Sequence, residues 1–419
     1  MTQNTCTIIT RIKPENLDPL EALLASIGSD PGAEQYLRLR DIASLHMAGI
    51  AVAARDSRFP PILIFESNFD GPADDYFREL VAHARAGLDA IYSKCEGYPS
   101  GASRTDAAII AYLKAHNAPA AAVFVGLPGQ TVGSVKNAIA VRKEINRFLD
   151  AELAAGATRK MSARQIRDRI MQHLQGASPI SPEIPPVTFS AFRWVALRNT
   201  IVIALIGIVL LPVLLPMVLI WLLMVRYREI REENASAKPD PPTDERTYAV
   251  EDRSVQFHLA TIGVIKENPV RRYTIRAVLA LVGVMWRHIL VRGGFGGIYT
   301  LHFAHAVIID EGRRILLLTC YDGSALEYLG NFTDIAGAYI NAAYGSVEHY
   351  PACKWLLAGG ASGLQGFMGW SRQHLQYTPV FYSAYPGETM LNLMKDLELR
   401  DHLYSARSES EAERLLQLL

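Results

Sequence analysis

Histidine and aspartate recur in matching places along this 419-residue chain. His46 stands in "LHMAG" and His302 in "LHFAH", each inside an apolar run that reads as a strand. Asp70-Gly71 and Asp322-Gly323 close a second apolar run after each of them. An imidazole can ligate a metal or haem iron, or move protons near neutral pH, and a nearby carboxylate suits acid–base work. On a two-residue period, His46 shares a face with Ser44, Ala48 and Ile50, and His302 with Thr300, Ala304 and Ala306. Small neighbours there leave room for a ligand. His116 and His374, just ahead of a later strand in each region, are further cofactor-binding candidates at a rim. Each has a plainer reading: a satisfied sheet histidine, a solvated loop histidine, or an Asp-Gly that caps a helix start. Glu66 and Asn68 share the face leading to Asp70, but their counterparts are Leu318 and Cys320, so an active site is expected to be asymmetric. P-loop, Rossmann, HExxH and GxSxG patterns are missing, and "GGFGG" at 293–297 reads as a flexible loop.

These candidates sit on a longer internal repeat. "IASLHMAGIAVAA" from Ile42 faces "IYTLHFAHAVIID" from Ile298, and "ILIFESNFDGPADDYF" faces "ILLLTCYDGSALEYL". Tyr98-Pro99 matches Tyr350-Pro351, and Pro128-Gly129 matches Pro386-Gly387, all in order and with small gaps. Each stretch reads as βαββαβ with an inserted helix, the order of a ferredoxin-like split βαβ unit. Such a sheet has one face without helices, and that face needs a partner. The expected fold is therefore α+β: two tandem-duplicated ferredoxin-like units pairing as an intramolecular α+β barrel. The expected boundaries are repeat 1 at 1–155, a linker at 156–192, a membrane segment at 193–228, a polar linker at 229–250 and repeat 2 at 251–419.

In its topology and duplication this pattern resembles the dimeric α+β barrel superfamily, and is distantly similar to the dye-decolorizing peroxidases. The resemblance covers roughly residues 5–150 and 255–405. It implies haem in the duplicated barrel, a histidine on the iron, and the Asp-Gly carboxylates Asp70 and Asp322 as the catalytic groups that assist peroxide cleavage. The peroxidase GxxDG motif is incomplete here, since Ser67 and Thr319 replace its first glycine.

Ile201 to Val225 runs 25 residues without a charge, about 37 Å as a helix, enough for a hydrocarbon core. Pro212 and Pro216 sit near its middle. If both repeats share one barrel they lie on one side of the membrane, which favours a re-entrant hairpin over a kinked transmembrane helix. "RRYTIRAVLALVGVMWRHILVR" is a candidate for lying at the headgroups, or else a core helix. The aromatic "GFMGWSRQHLQYTPVFYSAY" suits an apolar ligand or a plain core. Lys+Arg and Asp+Glu balance at 42 each, which gives nucleic acid no basic footprint. The four cysteines are dispersed and are read as reduced. Two functions follow as expectations. One is a membrane-associated, peroxidase-like, haem-binding oxidoreductase acting on a hydrophobic or lipid-phase substrate. The other is a non-catalytic membrane protein that binds a lipid or a partner enzyme through the barrel. The expected setting is a bacterial inner membrane, with both repeats on the cytoplasmic side.

Overall fold

The computed structural model describes residues 3–29, 36–54, 58–154, 161–176, 192–232, 255–289, 297–406 and 408–419. Most of the glycine-rich 293–297 loop and of the two linkers lies outside them.

The first half runs β1 (Gln3–Arg11), α1 (Leu17–Ser29), β2 (Leu45–Ala53), β3 (Ile62–Asp70), α2 (Ala73–Tyr92), α3 (Asp106–Ala115), β4 (Ala120–Val125) and α4 (Val132–Ala154). Helices α5 (Ala163–Gly176) and α6 (Phe192–Arg231) follow. The second half runs β5 (Gln256–Val264), α7 (Pro269–His288), β6 (Leu301–Ile309), β7 (Arg314–Asp322) and α8 (Ala325–Tyr344). It continues through the two-residue strands β8 (Cys353–Lys354) and β9 (Ala358–Gly359), α9 (Leu364–His374), β10 (Leu375–Ser383), α10 (Met390–Ser405) and α11 (Glu409–Leu416).

Eight strands form one antiparallel sheet in the order β1-β3-β2-β10-β5-β7-β6-β4. The last strand of each half is laid on the other half: β4 pairs with β6 (Phe124↔Ala304) and β10 with β2 (Val380↔Ile50). The edge strands β1 and β4 then meet through Ile9 N–H to His116 O (2.9 Å) and Ala118 N–H to Thr7 O (2.8 Å). The result is a mixed α+β architecture around a nearly closed barrel. Closure leaves few free edges and covers both faces of most strands, which is why "LHMAGIAVA" in β2 is buried along its whole length.

Three layers of core hold this arrangement. Outside the sheet, α1, α2 and α3 pack Leu20, Leu24, Tyr76, Leu80 and Leu113 on the first half. Helices α7, α8 and α9 pack Ile275, Leu279, Tyr344 and Trp370 on the second. The aromatic "GFMGW" stretch therefore serves the outer core, where Trp370 packs edge-on against Tyr344 and Tyr350. Inside, Ala51, Ile62, Ile64, Ile262, Val307, Leu316 and Leu318 fill one end of the barrel. Helices α4 and α10 close the other end, with Val135, Leu393 and Leu397 against Met47 and Phe303.

The apolar segment is one continuous helix, α6, with Pro212 and Pro216 inside it, rather than a hairpin of two arms. Leu197–Arg231 is long and apolar enough to cross a membrane, and none of its most apolar stretch is buried. Its C-terminal end is fastened to the second half. Trp221 Nε1 donates to Thr274 Oγ1 (3.0 Å), and Glu229 accepts from the amides of Trp355 and Leu356 (2.8 Å each). Glu232 pairs with the buried Arg271 and with Lys266. The basic-ended α7 turns Ile275 and Leu279 into the core and leaves Leu281 and Val284 exposed; Arg292 lies outside the described residues.

Candidate functional site

The barrel interior holds two polar tiers. The first lies under α4 and α10 and contains the expected histidine–aspartate groups. His46 Nε2 meets Asp70 Oδ1 at 3.0 Å, and His302 Nε2 meets Asp322 Oδ1 at 2.7 Å. A carboxylate only accepts, so Nε2 is the donor in both pairs. The other oxygen of each aspartate accepts a helix-start amide: Asp70 Oδ2 from Val132 N–H (2.7 Å) and Asp322 Oδ2 from Met390 N–H (2.6 Å). Thus each Asp-Gly does cap a helix, but a distant one, at the start of α4 or α10. The glycines are required by the turn that aims the carboxylate, since Gly71 and Gly323 both have φ of +83°.

The tier is enclosed. His46 and His302 are each 1% exposed, with Phe303 and Tyr385 against them. Tyr385 OH lies 3.1 Å from His46 Nδ1, so both ring nitrogens of His46 are occupied. His302 Nδ1 has no hydrogen-bond partner among the described residues. Of these two imidazoles only His302 keeps a ring nitrogen free for a haem iron, since both nitrogens of His46 are engaged.

His116 and His374 belong elsewhere. Each stands at the end of a helix and turns back on it, His116 Nδ1–H to Tyr112 O (2.8 Å) and His374 Nδ1–H to Trp370 O (2.7 Å). Each ring packs on the same aromatic residue, at 4.2 and 4.4 Å between centroids. They precede β4 and β10, whereas the capped amides of Val132 and Met390 follow those strands. They therefore sit at the opposite end of the barrel from the histidine–aspartate pairs.

The second tier, at mid-barrel, draws on residues of both halves. Glu66 on β3 is fully buried and accepts from His258 Nε2–H on β5 at 2.5 Å and from Asn68 Nδ2–H at 3.0 Å. Asn68 Oδ1 accepts from His305 Nε2–H on β6 (2.7 Å), and Cys320 Sγ on β7 lies 4.0 Å from Glu66 Oε1. Thr378 Oγ1 stands 3.3 Å from His258 Nδ1. Gly49 makes space for the His258 ring, because a Cβ there would come within 2.6 Å of it. Burial alone would push the Glu66 carboxyl up, but His305 and His258, with the bonds from His258 and Asn68, outweigh it and bring it down to about 2. Glu66 is thus an anion in the middle of the protein. Burial also pushes His305 down, toward the neutral ring, and holds the Cys320 thiol far up, with Glu66 adding to the effect on the thiol. The oxygen, nitrogen and sulfur donors of Glu66, His258 and Cys320 all lie within 4.8 Å of one another, a set able to hold a metal ion.

The expected asymmetry of Glu66 and Asn68 against Leu318 and Cys320 is where this tier forms. His258 and His305 were not assigned from the sequence. Their signal was a polar residue within an apolar strand, in "QFHLATIG" and "LHFAHAVII". Strand pairing between distant halves is what brings them to Glu66.

A third feature lies outside the barrel. Leu279, Val282, Met285 and Trp286 of α7, with Ile340 and Ala343 of α8, line an apolar cleft of about 70 Å³ over Ala304 and Leu317 of the sheet. Val278 and Val282 beside it pack on Val225 and Trp221 of α6. Comparison of the chain with protein-family models, curated proteins and solved structures finds no match.

Proposed function

We propose that this chain is a non-catalytic protein of the membrane surface that holds the apolar tail of a lipid or similar hydrophobic molecule outside the barrel, in the cleft between α7 and α8. The observation that carries this reading is the apolar lining of that cleft, placed beside the exposed apolar helix α6. A cavity of ~150 Å³ takes a benzene. The smaller cleft takes the end of an acyl chain, with the rest laid along the exposed Leu281 and Val284 and along α6. We further read the barrel as the product of duplicating a ferredoxin-like unit, on the matched element order of the two halves and the repeat in sequence.

The same reading sets how α6 meets the bilayer. β4 precedes α6 and pairs with β6 after it, so the two halves stand on one side. Since Glu229 and Glu232 tie the C-terminal end of α6 to the barrel, and Asn199 Nδ2–H near its N-terminal end donates to His288 O of α7 (3.2 Å), a full crossing would have to pull that N-terminal end about 60 Å away from these contacts. The return would fall to "ASPISPEIPPVTFSA", whose prolines and Glu183 suit no apolar span. Helix α6 is therefore an anchor that stays on one face of the membrane as a single continuous helix, with its exposed apolar residues in the bilayer surface.

Lipid extraction of the purified chain followed by mass spectrometry tests the function. A stoichiometric acyl-chain lipid is expected, and it is expected to be lost when Ala343→Leu and Ala304→Phe fill the cleft. A folded sample free of lipid, or variants that retain it, would refute the reading.

A further inference from the structure

We propose that Glu66, His258 and Cys320, with His305 as a fourth donor, form a buried site for one divalent transition-metal ion of the zinc class. The site is independent of the lipid cleft and of the membrane anchor. Its donors are a carboxylate oxygen, two imidazole nitrogens and a sulfur, a mixture that suits zinc and its neighbours far better than calcium or magnesium.

An unanswered lone pair points to a cation. In its neutral form His305 donates from Nε2 to Asn68 Oδ1, and its Nδ1 then carries a lone pair. That nitrogen is fully buried, makes no hydrogen bond among the described residues and faces Glu66 Oε1 at 3.6 Å. Two acceptors confronting each other away from water are costly, and a cation between them removes the cost.

The surroundings of the donors also match a metal centre. Ligating imidazoles are oriented by a bond from their second nitrogen, and ligating carboxylates are themselves hydrogen-bonded. Here Thr378 faces Nδ1 of His258, while Asn68 serves both His305 and Glu66. Loading would break the Cys320 S–H bond, form a sulfur–metal bond and release one proton to solvent. His258 would move its proton from Nε2 to Nδ1, donate it to Thr378 and turn Nε2 to the ion. Donors around a tetrahedral zinc stand about 3.3–3.8 Å apart. The His258–Glu66 contact of 2.5 Å therefore widens, and the Cys320–Glu66 separation of 4.0 Å closes slightly.

The test is to produce the full chain in cobalt-supplemented medium, purify it in detergent, and measure cobalt content and the absorption spectrum. One Co²⁺ per chain is expected, with tetrahedral ligand-field bands and a near-ultraviolet thiolate-to-cobalt band. Cys320→Ser removes the thiolate band; it is preferred to Glu66→Gln because it leaves the buried carboxylate and its histidines intact. His305→Gln lowers affinity, read by chelator competition, about ten- to hundredfold. Three results would each overturn the proposal: no cobalt in the folded chain, cobalt without the thiolate band (adventitious surface binding), or a band that persists in Cys320→Ser.

Discussion

The two halves of the barrel agree at one tier and part at the next. His46–Asp70–Val132 in the first half and His302–Asp322–Met390 in the second repeat one geometry, a histidine on one carboxylate oxygen and a helix-start amide on the other. At mid-barrel the likeness ends. Glu66 and Asn68 stand where the second half has Leu318 and Cys320, and Gly49 stands where it has His305. What is alike fastens α4 and α10 over the end of the barrel. What is unlike gathers four donor side chains at the centre, which neither half supplies by itself.

The comparison is broken most forcefully at Glu66. Replacing it by leucine, the residue of the matching position, removes the acceptor that His258 and Asn68 share. The expected loss is about 3–5 kcal/mol, the usual cost of taking one partner from a buried pair, read by chemical denaturation. Acid should act on the same tier in two stages. His305 is held below its ordinary 6.5, so the unfolded chain binds a proton the folded chain does not, and stability falls as pH drops below about 6.5. The Glu66 contribution is complete above its ordinary 4.5 and drains away as pH falls toward 2. Glu66→Gln should erase the second stage; an unchanged acid limb would count against the buried anion.

The shared tier is sharpened by a matched pair. Asp70→Ala and Asp322→Ala each strip a histidine partner and a helix-start amide, and each should cost about 1–3 kcal/mol. Equal values support a common structural role, whereas a loss confined to one half would point to chemistry there. The smallest effect belongs to His116→Ala and His374→Ala. Each loses one bond to a carbonyl in its own helix, worth about 1 kcal/mol, with no change in metal or lipid content.

Much of this was legible in the sequence, and the limits have physical causes. The repeated "LHMAG" and "LHFAH" phrases and the alternating apolar runs announce the strands, because a strand buried on both faces has few ways to be written. The pairing of His46 with Asp70 and of His302 with Asp322 follows from adjacent antiparallel strands within one half. Strand exchange between halves leaves no local mark, so nothing near Glu66 in sequence announces His258 or His305. The Asp-Gly caps were legible in kind but not in target, since Val132 and Met390 lie far along the chain. The sharing of one barrel by both repeats suggested a hairpin, yet the segment is a continuous helix, because one proline per turn removes too few backbone bonds to break forty residues.

The account rests on the two halves sharing one sheet within one chain. Ala122 on β4 and Ala306 on β6 are register partners, both small and buried, and neighbouring strands bring paired Cα atoms within disulfide range. The direct measurement is oxidation of the Ala122→Cys, Ala306→Cys chain, with the four native cysteines replaced, followed by proteolysis in the 233–254 segment. The halves are expected to stay joined as one chain-sized band until reductant is added. Separation of the halves without reductant, while an Ile8→Cys, Phe65→Cys control on β1 and β3 still cross-links, would contradict the shared barrel.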